Sequence, residues 1–339
     1  MKELNGYVKH TLDVAQAAGE DLAPYLALLG VGYTDLGETE DCVEQATYNQ
    51  LLDLLIARRP NEGLGLLDGS GVSILDHGLL GYAMFASENL ERAIERHTKY
   101  QDVIGAALHT RLIVDQNRAV LRVTNIARPE LINTPAKLRY ETERLLAQWA
   151  EIGPAFGQPK HWYQHINIAF EKPQDCLKRY FEILGGSIQF GSTHTEIIFN
   201  KSLLKAPFQH ANEQAAMLCE QQCAALLRQL NNTEGVVARV RRLLAASPGA
   251  APSIVQVAKS LGLSERTLRR KLADEGTNYK SVILDFRMEL AASYLKGNEM
   301  SIQEIAFTVG YSDPSNFHRA FCHRFDTTPA VFREKNRAA

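Results

Sequence analysis

At 339 residues the chain is too long for one ordinary core and fits two or three domains. A hydrophobic fraction of 45% and five scattered cysteines exclude both a disordered polar chain and a small secreted fold stapled by disulfides. The net charge of −2 hides an asymmetry: 16 basic and 10 acidic residues from Val236 onward, against 21 and 29 before it, as for an acidic body carrying a basic, phosphate-binding module.

The amino terminus lacks the apolar core of a signal peptide, and the longest apolar run, 25–33, is too short to span a bilayer. A soluble, cytoplasmic protein with no membrane partner is therefore expected. The first fifty residues read as helical, and 42–58 carries an apolar stripe through Val43, Ala46, Leu51, Leu54 and Leu55. The glycine-rich stretch 61–71 reads as a loop. Its Gly63, Gly65 and Gly69 narrowly miss a dinucleotide-binding fingerprint and follow no strand.

Helices are expected over 73–86 and 88–104. Residues 106–114 and 118–126 alternate apolar and polar about a turn at Asp115, Gln116 and Asn117, which predicts a β-hairpin. Helical spacing returns over 134–150, with Leu138, Leu145, Leu146 and Trp149 on one side. Residues 165–170 read as a strand, and Pro173 opens a helix running to Leu184, stopped by Gly185 and Gly186. Residues 187–190 and 196–200 supply two more strands. This order predicts an α+β domain on an antiparallel or mixed sheet. A long helix over 209–229 closes it, 231–235 reads as a linker, and a short basic helix with Arg239, Arg241 and Arg242 spans 236–246. A second break falls at 247–253.

The remaining sequence contains an internal repeat. SIVQVAKSLGLS from Ser253 and SIQEIAFTVGYS from Ser301 match at an offset of 48 through Ser264 and Ser312, after which the second copy has one extra residue. Each opens with Ser followed three places later by Gln256 or Glu304, the capping-box pattern of a helix start. Ile254, Val257, Ala258 and Leu261 correspond to Ile302, Ile305, Ala306 and Val309 as the buried face of a short helix. Gly262 and Gly310 supply the turn, Ser264 and Ser312 are placed to cap the next helix, and Leu268 with Leu272, or Phe317 with Phe321, anchors it. Helix, glycine turn, helix, twice over, predicts an all-α carboxy-terminal domain with two helix-turn-helix units, 253–276 and 301–325.

The second helix of such a unit enters the DNA major groove. Around Leu268 its outward face carries Arg266, Arg269 and Arg270, and around Phe317 the same places hold Ser315, His318 and Arg319. Arginine reads guanine edges with two hydrogen bonds, so these six residues are the candidate DNA-binding side chains. The amphipathic stretch 277–297 joins the two units as a linker helix.

The stretch from 236 to 339 resembles the DNA-binding domain of AraC/XylS-type transcription regulators. The likeness rests on the segment from Arg287 to Leu295, on Ile305, Ala306, Gly310, Tyr311 and Ser312, on Phe317, Phe321 and Phe325, and on Thr328, Pro329, Phe332 and Arg333. Phe332 departs from the tyrosine more usual there. Residues 77–100 and 179–208 resemble the arabinose-binding-type sensor domain of one branch of that family, which includes regulators of ornithine and arginine use and of virulence. The resemblance implies a regulator, mostly of the activator kind, with double-stranded promoter DNA, a small-molecule effector and RNA polymerase as partners, and a homodimer. An amino acid is the effector class it suggests. The expected division is 1–205 for effector sensing and dimerisation, 206–235 for a connecting helix and linker, and 236–339 for DNA.

No effector-binding residues emerge from the motif. His109, Arg111, His194 and Glu196 lie on predicted strands and could line a polar pocket or face solvent. Cys219 and Cys223, one helical turn apart, lack a second ligand pair and read as structural, and His318, Cys322 and His323 read as DNA contact and packing rather than a zinc site. No cofactor or metal is expected. No nucleophile elbow, zinc-protease helix or phosphate loop supports the alternative of an enzyme fused to a DNA-binding module. An architectural DNA binder with an inert oligomerisation domain is the other alternative.

Overall fold

The computed structural model describes residues 2–37, 42–126, 132, 134–233, 235–245, 252–297 and 300–337. Contacts divide the chain into two compact units, Met1–Val123 with Leu131–Leu227, and Thr124–Glu130 with Arg228–Ala339.

The first unit is α+β. Its strands are β1 (Lys2–Leu4), β2 (Cys42–Glu44), β3 (Leu108–Val114), β4 (Arg118–Ile126), β5 (His165–Asn167), β6 (Ile188–Gln189) and β7 (Glu196–Asn200). Its helices are α1 (Asn5–Ala17), α2 (Ala23–Leu29), α3 (Gln45–Arg58), α4 (Leu64–Ser70), α5 (Gly78–Phe85), α6 (Leu90–Tyr100), α7 (Pro135–Ala155) and α8 (Leu177–Leu184), followed by α9 (Glu213–Thr233). The five-stranded sheet runs β3-β4-β7-β5-β6 and is mixed. β4 and β7 are antiparallel with Leu121 opposite Ile197, β5 and β7 are antiparallel with Ile166 opposite Ile197, and β5 is parallel to β6. The parallel pair needs a crossover, and α8 lies within it. Leu121, Ile166, Ile197 and Phe199 of the sheet share one core with Leu146, Trp149 and Ala150 of α7.

The hairpin, the α7 helix and the later strands fall where the alternation and spacing predict them. Four expectations need correction. Residues 2–4 and 42–44 pair as a short antiparallel ribbon, so the helix expected from 42 starts at Gln45. Pro173 lies outside α8, which begins at Leu177. α9 starts at Glu213 and runs through residues 231–233, absorbing most of the expected linker. The break expected at 247–253 lies mostly outside the described residues.

The fourth correction is the largest. The glycine-rich stretch 61–71 is not a loop but holds α4, whose Gly65 and Gly69 face α7 one turn apart. A Cβ at Gly65 would stand 2.2 Å from the Tyr140 carbonyl oxygen, and one at Gly69 would stand 2.2 Å from that of Arg144. The glycines are present because the two backbones touch. The weak helix propensity of glycine is outweighed by burial of the whole segment, where Leu64, Leu66 and Asp68 are inside.

The second unit is all-α: α10 (Val236–Ala245), α11 (Ile254–Ser260), α12 (Glu265–Asp274), α13 (Tyr279–Gly297), α14 (Ile302–Thr308), α15 (Pro314–Phe325) and α16 (Pro329–Arg337). α13 packs on α10, α14, α15 and α16 through Val282, Phe286, Met288, Ala291 and Leu295. The first helix pair reaches this spine through α10, which packs on both α12 and α13. The Glu275 carboxylate at the end of α12 accepts the Val236 and Val237 amides at the start of α10. Arg239 donates to the Leu261 carbonyl at 3.2 Å, and Arg241 pairs with Glu289. These two arginines of the basic helix thus hold the unit together.

Candidate nucleic-acid interface and sensor cavity

Both short helices begin with the expected reciprocal caps. Ser253 Oγ accepts the Gln256 amide at 3.3 Å while Gln256 Oε1 accepts the Ser253 amide at 2.7 Å. Ser301 and Glu304 repeat this at 3.1 and 2.7 Å. Gly262 and Gly310 turn the chain at φ +67° and +89°, a conformation that only glycine adopts without strain.

The two units then differ by one residue. Ser264 caps α12, accepting the Thr267 amide at 3.1 Å. In the second unit the cap is Asp313, which accepts the Ser315 amide at 2.8 Å, and not Ser312. Pro314 in the first helical position suits that start, since its missing N–H is one the helix leaves unpaired there. The extra residue is thereby spent in the turn, and the helices come back into step. Arg266, Arg269 and Arg270 stand at the second, fifth and sixth positions of α12, and Ser315, His318 and Arg319 stand at the same positions of α15.

All six side chains are exposed, while Leu268, Leu272, Phe317 and Phe321 between them are fully buried. Each helix therefore has one face in the core and one polar face outward. Arg269 is held by Glu265, with Nε and Nη2 at 2.9 and 2.7 Å from Oε1. Arg319 donates to Asn316 Oδ1 at 2.6 Å. His318 Nδ1 lies 3.6 Å from Cys322 Sγ. Asn316, exposed beside these residues, is a candidate outside the six expected ones, and its counterpart Thr267 is half-buried.

In the first unit the four residues expected on strands do not form one pocket, and His194 lies outside the strands, in the bend before β7. His109 is buried against Asp102 at 3.0 Å, and Glu196 against Arg122 at 2.5 Å, whereas Arg111 and His194 are exposed. β4 separates β3, which carries His109 and Arg111, from β7, which carries Glu196. A cavity of about 60 Å³ opens elsewhere, against α7. Glu141, Arg144 and Trp149 reach it from α7, His97 from α6, and His77 and Tyr7 from the turn before α5 and from α1.

Glu141 and Arg144 form an ion pair at 2.8 Å, with Arg144 also donating to Tyr48 Oη at 3.1 Å. Tyr7 Oη and His77 Nδ1 share a hydrogen bond. His97 stacks edge-on against Trp149, ring centroids 5.0 Å apart. Burial pushes the His77 imidazole down to about 4, helped by the Arg144 charge, and pushes His97 down to about 3, helped by His77 and His109. Near neutral pH the lining therefore holds one cation, one anion and two uncharged imidazoles. The sequence signal for this site, a glutamate and an arginine three apart within an apolar helical stripe, looks the same as a surface pair until α7 is buried.

Cys223 is buried within α9, where desolvation raises its thiol to about 11, and Cys219 is half-buried. Among the described residues there is no group of three or more side chains placed to hold a metal ion, and no helix long and apolar enough to cross a membrane.

Residues 19–208 match the family profile described as the arabinose-binding domain of AraC transcription regulator, N-terminal, and residues 257–335 match a helix-turn-helix domain. The chain is 36% identical over 289 residues to the ornithine utilization regulator of Pseudomonas aeruginosa, covering 85% of this chain and 83% of that one. It is 23% identical over 328 residues to the HTH-type transcriptional regulator Rv1395 of Mycobacterium tuberculosis, covering 95% and 94%. Among solved structures it is similar to the transcriptional regulator CdpR from Pseudomonas aeruginosa, with a TM-score of 0.42 and 22% identity over 92% of this chain and 96% of that one.

Proposed function

The chain belongs to the AraC family of DNA-binding transcription regulators, and from that premise we propose that it is an effector-responsive activator whose two helix-turn-helix units read one promoter site. Residues 1–205 sense the effector and dimerise, 206–235 connect, and 236–339 engage DNA. The observation that carries this reading is the equivalence of α12 and α15: each buries one face and turns polar side chains outward from its second, fifth and sixth positions. α13, 19 residues long, extends about 28 Å at 1.5 Å per residue, a span suited to one helical turn of duplex.

Arg266, Arg269 and Arg270 on α12, and Ser315, His318 and Arg319 on α15, are the base-reading residues. The arginine-rich first helix favours guanines. Arg269 must exchange Glu265 for a base edge, so its net contribution is the smallest of the three arginines. The effector is an amino acid, a reading supported by the relative named for ornithine utilization. It acts by binding one arrangement of the protein better than another. The family resemblance supports RNA polymerase as a partner and a homodimer in the cytoplasm.

The test is competition binding to one operator and to its single-base variants. Arg270→Ala and Arg266→Ala each lower operator affinity by about 1–3 kcal/mol and relax discrimination at one base pair. An equal loss on operator and on random DNA would place these arginines on phosphates and overturn the base-reading assignment.

A further inference from the structure

We propose that the cavity beside α7 is the effector site and that it takes the zwitterionic head of an α-amino acid, carboxylate on Arg144 and ammonium on Glu141. The inference rests on the reading of the first unit as an amino-acid sensor and adds the place, the partners and the rule of selection.

Glu141, Arg144 and Gln148 line the cavity from one face of α7, with Leu145, Trp149 and Ile152 interleaved at helical spacing. The ion-paired side chains are only 7% and 13% exposed. Two charges taken out of water together gain little net stability over an apolar pair. Arg144 also holds Tyr48, but the pair faces a cavity, where a ligand that carries both signs side by side can meet it. In an α-amino acid one carbon holds the ammonium and carboxylate about 3 Å apart, from bonds near 1.5 Å. Laid against the pair in the opposite sense, such a head gives each charge a partner and leaves none unpaired in the interior.

The other lining groups fit the same guest. His77 and His97 are uncharged and can donate or accept hydrogen bonds without adding to the charge balance. Met84, Leu108 and Ile152 provide apolar wall for methylenes. The cavity, about 60 Å³, is small against the roughly 150 Å³ that takes benzene, so the head enters as the Glu141–Arg144 pair parts to admit it, with the side chain directed outward.

The full-length chain is titrated by calorimetry with the twenty common L-amino acids and L-ornithine. Putrescine (ornithine without the carboxylate), 5-aminopentanoate (ornithine without the α-amino group) and L-arabinose serve as controls. At least one amino acid is expected to bind, and for it Glu141→Gln and Arg144→Lys each raise Kd by about tenfold or more, as for a site built on buried polar contacts. The controls bind at least about tenfold more weakly than that amino acid or not at all. Because Arg144 also holds Tyr48, Ala106→Leu is the third variant: it fills the cavity without touching the polar pairs, and binding is lost while the thermal transition stays.

Amino-acid binding that survives all three variants would overturn the site and leave the amino-acid reading standing. Putrescine, 5-aminopentanoate or arabinose binding as well as the amino acids would overturn the head-group rule. Failure of every amino acid on the wild-type chain would overturn the amino-acid reading itself, and the site with it.

Discussion

In the second unit the described buried side chains are apolar from Val236 to Phe321, whereas the first unit buries Asp68, Arg96, His97, Lys137, Glu141, Glu143 and Glu196 among its leucines. None of those polar groups is left alone. Asp68 accepts from Tyr140 Oη at 2.8 Å and Thr11 Oγ1 at 3.2 Å, Lys137 reaches Asp53 at 2.8 Å, and Glu143 takes Arg139 at 2.7 Å and the Tyr180 hydroxyl. An apolar core is held by packing that hardly responds to pH, and it frees the outside of the unit for recognition. A polar interior is costlier, and small changes in charge or solvation reach its balance directly. The first arrangement suits a rigid reader of DNA, and the second suits the ligand-answering role proposed for the first unit.

The contrast breaks first at the cores. Phe321 meets Phe317, Phe325 and Phe332 at centroid distances of 4.6 to 5.7 Å, and Phe321→Ala is expected to destabilise the second unit by about 3–5 kcal/mol. Both tryptophans, Trp149 and Trp162, lie in the first unit. Tryptophan fluorescence in a denaturant titration should therefore keep its midpoint while DNA binding and part of the helical circular dichroism are lost earlier. A fluorescence midpoint that moves with the rest would show that the units do not unfold independently.

The second test sets propensity against contact. Gly69→Ala improves helix propensity by about 1 kcal/mol, but its methyl would meet the Arg144 carbonyl at 2.2 Å and Ala147 Cβ at 2.8 Å. Backbone cannot step aside as a side-chain end can, so the expected result is a net loss of about 1–3 kcal/mol, read as an earlier fluorescence transition. A stabilised variant would mean that α4 and α7 have slack between them.

The third concerns pH. His97 and His77, held at about 3 and about 4 against an ordinary 6.5, bind fewer protons folded than unfolded between those values. Their contribution to stability is complete above about pH 6.5 and is lost as pH falls toward 4 for His77 and 3 for His97, at about 1.4 kcal/mol per pH unit for each. Asp68 and Glu143, raised by burial, act in the opposite sense, so the comparison is between wild type and His97→Asn. The variant should lose stability less steeply from pH 6.5 to 5 in fluorescence-detected melting. Parallel profiles would show that His97 is hydrated or charged in the folded state.

What could be read from the sequence was local or repeated. Capping serines, turn glycines and apolar spacing act within a few residues, so both helix-turn-helix units, the β3–β4 hairpin and the order of strands and helices were legible before any packing was known. The repeat made the outward polar faces of α12 and α15 legible too, since two copies showed which positions stay apolar and which vary outward. Tertiary structure alone decided the rest. Gly65 and Gly69 read as a loop because the backbone of α7, some seventy-five residues later, is what requires them. Asp313 replaced Ser312 as cap because one inserted residue had to be absorbed where the helix could still start on Pro314. Glu141 and Arg144 became a cavity lining only when α1, α6 and the segment before α5 closed over their helix face. A carboxylate and a guanidinium carry the same letters in water and in a core, and it is their removal from water that gives them their chemistry.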